Sequence, residues 1–377
     1  MAIKIVGSAL PNLPWQDRPE GCDSVVWRNS DNPIVPWNPF KAAARVFNSA
    51  VVPWNDGFIG VIRCDYKNGR PHLHVGRSKD GIHWKFDEQM IDWRDEQGTP
   101  AALRSHKDDN HKPELMLALS NFFMLRGFAK EEDAIAQLSR FESLKGLAAF
   151  YREHGLKEFV KEIFSMDKAH FPALFDSIAQ NCEDRYKSGA ISKRDPLFWF
   201  MRAVAANKEN GLPYDAGLLM ILIMNLMYVP AGGVAFQGAG VPHAYLEDLN
   251  IELMANSDNV VRGGLTTKHV DVKELLAITV FESESPKLIA PMKIEGALEY
   301  QVPVPDFRLR EYRLRQGEQI MATETENACL WMLYSGEVAT GDDGYHRGVC
   351  AFYQRPGEIC EITATTDARI FRASCYC

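Results

Sequence analysis

The sequence lacks the features that mark membrane and secreted proteins. Its most apolar stretch, residues 218–229, is far shorter than the roughly 20 residues that a membrane-spanning helix needs. The N-terminal residues also lack the long apolar core of a signal peptide. These absences predict a cytoplasmic protein without a membrane partner.

Cysteine spacing and net charge exclude two further classes of protein. The eight cysteines include no C-x-x-C pair, so we expect neither a zinc knuckle nor a disulfide framework. The formal net charge of −8 argues against a nucleic-acid partner, because phosphate backbones are bound by clustered Lys and Arg. We therefore expect a soluble, monomeric protein that acts on a small molecule.

The 377 residues are enough for two or three domains, and the composition changes near residue 100. Six of the eight tryptophans precede that point. The first hundred residues carry twelve basic and twelve acidic residues, so the net charge of −8 lies entirely in the rest of the chain. The sequence therefore predicts a boundary between residues 1–100 and the remainder.

Short apolar runs divided by turn residues predict β-strands in the N-terminal part. VFNSAVV (46–52), FIGVIR (58–63) and LHVGRS (73–78) are separated by Asn-Asp-Gly and Lys-Asn-Gly-Arg turns. Repeated short antiparallel strands of this kind indicate a propeller blade or a sandwich.

Residues 1–98 resemble the beginning of the mannoside phosphorylases of glycoside hydrolase family 130. The resemblance rests on NPIVPWNP, ARVFNSAVV, GVIR and LHVGRSKDGIHW, which lie within residues 32–84. It implies a β-propeller-blade-like fragment in which Asn48, Ser49 and Arg63 contact sugar or phosphate. The family's catalytic aspartate, in a motif like Y-D-P-R, has no counterpart here, and most blades are absent. We therefore favour the interpretation that these residues pack a partial sheet.

A helical region separates two β-rich regions in the remaining chain. Apolar residues recur every third position over residues 135–150, and further helices are expected at 156–166, 171–182 and 197–206. The apolar run at 218–229 is interpreted as a buried helix. After Pro230 short β-rich runs with glycine turns continue to the C-terminus, which predicts a mainly β protein with a helical insertion.

Three motifs, in a fixed order, resemble the type I mannose-6-phosphate isomerases over residues 104–377. They are DNHKPEL (109–115), GVPHAYL (240–246) and NIELMANSDNVVRGGLTTK (250–268). The resemblance implies cupin-like jelly rolls: an incomplete catalytic domain at 101–130 and 226–285, a helical insertion at 131–225, and a C-terminal β domain at 286–377. It also implies zinc and a sugar phosphate as cofactor and substrate.

The motifs contain residue types suited to zinc. Glu114 offers a carboxylate oxygen and His243 an imidazole nitrogen, and both are common zinc ligands. By resemblance, each is a metal ligand. Outside their motifs, a solvated carboxylate and a hydrogen-bonded turn histidine would be the ordinary interpretations.

The resemblance also assigns residues to the isomerisation itself. Such a reaction moves a proton between two carbons and needs an acid or base, cationic stabilisation of the enediolate, and a phosphate anchor. By resemblance, Arg262 is the catalytic arginine and Glu252 the candidate proton carrier. Lys112 is expected to serve a substrate oxygen, and Lys268 to contact the phosphate.

One part of the metal site is missing from the sequence. The isomerase family draws two further ligands from a Gln-x-His pair, and no Gln-x-His occurs in this chain. His72 and His74 have a spacing that suits a metal, but they fall within the phosphorylase-like segment, and we expect them not to complete the site.

The sequence therefore predicts a mannose-6-phosphate isomerase-like protein with impaired zinc-assisted activity. Two alternatives stay open. In one, the N-terminal segment retains mannoside phosphorolysis or carbohydrate binding. In the other, the chain is a fusion without activity, joined near residues 93–106.

Overall fold

The structure is a computed structural model that describes residues 16, 20, 29–36, 38–67, 71–92, 94, 110–257, 259–266, 270–322, 329–341, 344–357 and 359–375. The chain divides into two compact units. The N-terminal unit comprises Met1–Ser105 with Thr266–His269, and the C-terminal unit comprises His106–Leu265 with Val270–Cys377.

The N-terminal unit contains a four-stranded antiparallel sheet in which each strand pairs with the next. Its strands are β1 (Ala43–Trp54), β2 (Gly57–Tyr66), β3 (Pro71–Ser78) and β4 (Trp84–Met90). The three predicted strands are thereby confirmed. Asn55 adopts a positive φ of 52° in the tight Asn-Asp-Gly turn between β1 and β2. A single meander occurs in several β architectures, so it does not confirm a propeller blade.

Among the described residues of this unit, the buried side chains that cluster on the sheet are Phe40, Ala43, Ile62 and Cys64. His74 is completely buried beside them, where its Nε2 lies 3.1 Å from the hydroxyl of Tyr66 and its Nδ1 lies 2.9 Å from the carbonyl of Asp87. Both ring nitrogens of His74 are therefore occupied within the sheet.

The predicted helical insertion forms five α-helices around the largest hydrophobic core of the chain. They are α1 (Glu131–Ser139), α2 (Lys145–Ser165), α3 (Phe171–Lys187), α4 (Pro196–Glu209) and α5 (Gly217–Ile223). The apolar repeat at 135–150 is not one helix, because α1 ends at Ser139 and a short 3-10 turn precedes α2. Gly155, with φ at 78°, interrupts α2 and begins its second half close to the predicted helix start at 156.

The prediction of one buried helix over residues 218–229 is wrong in its second half. Helix α5 ends at Ile223, and β7 (Met224–Val229) follows it directly. Strand β7 pairs with β6 (Phe122–Phe128), so its backbone groups are satisfied by a sheet instead of a helix. A continuous apolar run has no period of its own, so pairing with β6 decides its conformation.

Two three-stranded sheets flank the helices in sequence. The first has the order β10 (Asn250–Met254), β5 (Glu114–Ala118), β8 (Val234–Gln237), and the second has the order β7, β6, β9 (His243–Glu247). A compact apolar cluster with members from both sheets, including Met116 and Met124, lies between them. This pair of sheets carries the motifs that the sequence singled out.

The C-terminal β region is built from two further antiparallel sheets. After α6 (Val272–Ile278), the first sheet has six strands, namely β11 (Met292–Ile294), β12 (Ala297–Tyr300), β13 (Arg308–Leu314), β20 (Ala368–Ser374), β15 (Cys329–Ser335) and β18 (Cys350–Gln354). The second has four, namely β14 (Gln319–Ala322), β19 (Cys360–Ala364), β16 (Glu337–Thr340) and β17 (Gly344–Arg347). Their inner faces share a core around the fully buried Trp331.

The molecule is thus mainly β-sheet with a helical insertion, as the sequence predicts. Among the described residues, no helix has both the length and the apolar character needed to cross a bilayer.

Candidate functional site

Two motif residues that are far apart in sequence come into direct contact. Glu114 opens β5 and is 8% exposed, and His243 opens β9 in the other three-stranded sheet. Nε2 of His243 lies 2.9 Å from Oε2 of Glu114. The structure therefore places together the two residues that the sequence singles out as metal ligands.

Both ring nitrogens of His243 have hydrogen-bond partners. Its Nδ1 lies 3.1 Å from the carbonyl oxygen of Val241, which only accepts, so Nδ1 carries a proton. Burial disfavours the imidazolium, but the hydrogen bond to Glu114 and that carboxylate's charge outweigh burial and raise the pKa of His243. An imidazolium donating from both nitrogens fits this geometry.

The pKa of Glu114 moves in the opposite direction. Burial alone would raise it, but the hydrogen bond and charge of His243 and the nearby Lys112 lower it. Nζ of Lys112 lies 3.7 Å from Oε1 of Glu114. Lys112 precedes β5 instead of lying on it, so its approach to Glu114 comes from the loop and not from strand alternation.

Glu252 is an acidic group that interacts with both members of this pair. It lies on β10, where Met254 is directly opposite Glu114 and Glu252 is the diagonal neighbour. The side chain of Glu252 is exposed, yet its carboxyl is partly desolvated, and this desolvation together with the Glu114 carboxylate raises the pKa of Glu252 against the opposing hydrogen bond from Tyr245. Glu252 is therefore more easily protonated than an ordinary glutamate.

Two polar residues that the sequence analysis missed also belong to this site. Gln237, only 1% exposed, stands directly opposite Glu114 on β8, and its Oε1 is buried without a hydrogen-bond partner. The hydroxyl of Tyr245 is likewise buried, and it interacts with the Glu252 carboxylate without meeting ordinary hydrogen-bond geometry. Burial, this interaction with Glu252 and the charge of Glu114 raise the pKa of Tyr245. Tyr245 lies inside the GVPHAYL motif, two positions after His243, so the alternation of β9 could have indicated it.

The segment after β10 carries Arg262, which is exposed. Gly264, two positions after Arg262, has φ at +100°, and a Cβ there would lie 2.6 Å from the backbone of Gly217. The backbone N–H of Leu265 donates to Asp215, 2.9 Å from Oδ2. Gly264 therefore permits close approach to α5, whereas the sequence analysis expected the paired glycines to approach a ligand. Lys268 lies outside the described residues.

The phosphorylase-like candidates lie in the N-terminal unit. Ser49 is exposed on β1, and Arg63 on β2 points a guanidinium nitrogen at Asp65, 3.4 Å away. The side chain of Asn48 lies outside the described part of the structure.

The described residues do not form a complete zinc site. A catalytic zinc ion needs three protein ligands and one open position. Within the described ranges, no group of three or more His, Cys, Asp or Glu side chains is arranged to hold a metal. Glu114 and His243 satisfy each other directly, so the donor set that is present does not fit a catalytic zinc ion.

Comparison with known proteins gives two separate similarities, one for each part of the chain. The family model described as beta-1,4-mannooligosaccharide phosphorylase, of glycoside hydrolase family 130, matches residues 9–101. A beta-1,4-mannooligosaccharide phosphorylase of Ruminococcus albus is 47% identical over 90 residues, which cover 23% of this chain and 27% of that protein.

The larger similarity is to isomerases. Mannose-6-phosphate isomerase of Shigella flexneri is 29% identical over 266 residues, or 70% of this chain. The crystal structure of a lysine-to-alanine variant of phosphomannose isomerase from Salmonella typhimurium has a TM-score of 0.62 and 25% identity, covering 74% of this chain and 71% of that one. The chain spans 64% of the length of the Shigella relative. It therefore joins a short segment homologous to the mannooligosaccharide phosphorylases to a longer segment homologous to the mannose-6-phosphate isomerases.

Proposed function

We propose that this chain is a mannose-6-phosphate isomerase-like protein, acting on mannose 6-phosphate and fructose 6-phosphate, whose activity is impaired by an incomplete metal site. The contact between Glu114 and His243 carries the proposal, because it brings two of the three isomerase-like motifs together across two sheets. The homology to mannose-6-phosphate isomerases over 70% of the chain supports the substrate class.

The impairment follows from the ligands that are present. Glu114 and His243 would be two ligands of a zinc ion, and the Gln-x-His pair of the isomerase family is absent from the sequence. Loss of a single residue that merely supports a ligand already costs about 10–100-fold in metal affinity or activity. The proposed proton transfer therefore relies on the side chains of this chain.

The residues of this chain supply the proton chemistry in our proposal. Glu252, whose pKa is raised and which lies beside Glu114, takes up and returns the migrating proton. Lys112 and Arg262 stabilise negative charge on the sugar oxygens through their side-chain N–H donors. Lys268 contacts the phosphate.

A second candidate function rests on the N-terminal unit. The family-model match at residues 9–101 favours a single propeller-blade-like fragment of a mannoside phosphorylase, retained for carbohydrate binding through Asn48, Ser49 and Arg63 or as one half of an inactive fusion. The Ruminococcus relative is covered over only 27% of its length, which counts against phosphorolysis by this chain. We therefore rank this function second.

The direct test is turnover with added zinc. The purified chain should interconvert mannose 6-phosphate and fructose 6-phosphate far more slowly than the Shigella relative, and it should hold less than one zinc per chain after dialysis. Replacing residues 1–100 with the corresponding isomerase segment should restore both metal and turnover. In that restored protein Arg262→Ala should abolish turnover and leave the zinc content unchanged.

His154→Ala provides a matched control, since this histidine is exposed on α2 and has no part in the proposed site. It should change neither zinc content nor turnover. Full activity of the unmodified chain would contradict the proposed impairment, and absence of activity after restoration would contradict the isomerase assignment.

A further inference from the structure

Two arginines stand directly opposite each other on neighbouring strands of the six-stranded sheet. Arg313 on β13 pairs with Arg369 on β20, and Arg369 is also opposite Ser335 at the end of β15. Like charges in directly opposed positions destabilise a sheet unless other groups compensate them. The sheet register thus places two guanidinium groups and one hydroxyl in a single row across three strands.

One buried carboxylate compensates only part of this positive charge. Oε1 of Glu311 accepts hydrogen bonds from Nε of Arg313 at 2.6 Å and from Nε of Arg369 at 2.8 Å. Oε2 of Glu311 accepts from the hydroxyl of Tyr300 at 2.7 Å. The carboxylate is fully buried and has no exposed surface left. A single negative charge therefore faces two positive ones.

The terminal nitrogens of both guanidinium groups remain available. Each arginine uses Nε for Glu311, and no other protein acceptor in the described ranges is hydrogen-bonded to either side chain. Arg369 is held in position by the rings of Tyr334 and Phe371, whose centroids lie 5.4 and 5.0 Å from its Cζ. A positioned arginine with free Nη groups is suited to a planar two-pronged contact with an anion.

The row borders a cavity of about 610 Å³. Its wall is completed by residues from the turn between β7 and β8 and from the ends of β13 and β20, namely Ala231, Gly232, Leu314, Arg315, Asp367 and Ala368. The charged residues of the wall are Arg313, Arg315, Arg369 and Asp367. With the buried Glu311, which bonds two of these arginines, their formal charges sum to one positive charge. Oδ1 of Asp367 is already bound to the backbone N–H of Gln316 at 2.9 Å.

This cavity is separate from the site around Glu114. The backbone N–H of Gly232 donates to the carbonyl of Ala118 at 2.8 Å, so the cavity wall touches the end of β5 opposite to Glu114. Four residues of an extended strand span about 14 Å, because each residue advances the chain by roughly 3.4 Å. A ligand in one site therefore does not occupy the other.

We propose that the cavity beside Arg313, Arg369 and Ser335 binds the phosphate group of a small phosphomonoester. Guanidinium groups match the geometry of phosphate oxygens, and a serine hydroxyl adds a further donor. The volume falls within the range of small-molecule pockets, so it accommodates more than the phosphate alone. The proposal does not depend on isomerase activity.

Calorimetric titration of the full chain with inorganic phosphate at constant ionic strength tests this binding. Arg313→Gln should weaken phosphate binding by about tenfold or more, because a hydrogen bond to a charged group contributes about 1.5–3 kcal/mol. Arg369→Gln should weaken it similarly. Arg347→Gln removes one exposed positive charge from β17, outside the cavity, and should change the affinity by less than about twofold.

Two results would overturn the proposal. One is equal phosphate affinity in Arg313→Gln and Arg347→Gln. The other is loss of phosphate binding in Lys268→Gln but not in Arg313→Gln, which would place the anion in the isomerase-like site. If Arg369→Gln does not fold, Arg313→Gln decides alone, since the Arg313 side chain is 61% exposed and Glu311 keeps its bonds to Arg369 and Tyr300.

Discussion

Nε2 of His243 lies 2.9 Å from Oε2 of Glu114, although 129 positions of sequence separate the two residues. Each side chain is the main partner of the other in a poorly hydrated place, because Glu114 is 8% exposed. Removing one of them leaves the other without its partner, which is the costly way to break a buried pair. The pair is therefore expected to stabilise the fold as well as to form part of the candidate site.

We predict that His243→Ala lowers the free energy of unfolding of the C-terminal unit by about 1–3 kcal/mol, because it leaves a buried carboxylate unsatisfied. The double variant Glu114→Gln with His243→Ala should lose less unfolding free energy than the sum of the losses in the two single variants. Urea unfolding followed by circular dichroism measures both. Strict additivity would mean that the two side chains do not interact.

Two tyrosines offer a matched comparison of buried hydroxyl groups. The hydroxyl of Tyr245 interacts with Glu252 without meeting ordinary hydrogen-bond geometry, whereas that of Tyr300 donates to Glu311 at 2.7 Å. We predict that Tyr300→Phe destabilises the chain by about 1–3 kcal/mol, because it removes a hydrogen bond to a buried charge. Tyr245→Phe should change stability by less than about 1 kcal/mol or increase it. Equal losses in chemical denaturation would show that the Tyr245 hydroxyl is bonded to the Glu252 carboxylate as strongly as Tyr300 is to Glu311.

The sequence predicted the part of this architecture that depends on local pattern. Strands β1, β2 and β3 follow from short runs divided by turns, and the insertion is helical as expected. The proximity of Glu114 and His243 was expected from motif resemblance, because both were assigned as metal ligands. Local residue patterns do not indicate that β5 and β9 lie close together.

Features that depend on sheet register could not be predicted. Gln237 joins the site because it is opposite Glu114 on β8, and Arg313 meets Arg369 because β13 pairs with β20. Each pairing joins strands that are distant in sequence, and a shift of one residue would turn these side chains to the other face. Alternation of apolar and polar residues shows which face of a strand is buried, but it does not show which strand pairs with it.

The pKa of Asp195 gives a prediction of pH dependence. Its carboxylate pairs with both terminal nitrogens of Arg140 and accepts from the backbone N–H of Leu197 at the start of α4. The hydrogen bonds from Arg140 lower its pKa from the ordinary value of 3.8 despite partial burial. A lowered pKa in the folded state stabilises the protein above the unfolded pKa, and this contribution is lost as the pH falls through the folded value.

Asp195→Asn isolates this effect, because asparagine still caps a helix but carries no charge. The free energy of unfolding of the wild type should exceed that of the variant by roughly 1 kcal/mol at neutral pH. The difference is small because the Arg140–Asp195 pair is partly exposed. The difference should shrink as the pH falls below about 4. Thermal unfolding of both proteins between pH 7 and pH 3 measures it, and a difference independent of pH would rule out the charge as its source.

The last prediction concerns the turn that ends β15. Gly336 has φ at +87°, and a Cβ at this position would lie 2.2 Å from the carbonyl oxygen of Asp367 and 2.7 Å from Cα of Ala368. Gly348 also has a positive φ, at +64°, but no atom lies within 4 Å of the place a Cβ would take. Both glycines lie in the C-terminal β region and have a positive φ. What distinguishes them is the space available to a Cβ.

We expect Gly348→Ala to cost about 1–2 kcal/mol, the ordinary penalty for placing an L-residue in the left-handed region. Gly336→Ala should cost more than about 3 kcal/mol, because the clash is with backbone atoms of Asp367 and Ala368, at the start of β20, that cannot rotate away. Unfolding midpoints in urea compare the two variants. Similar losses would mean that β20 shifts freely at residues 367–368, which would also move Arg369 away from its place opposite Arg313 and Ser335.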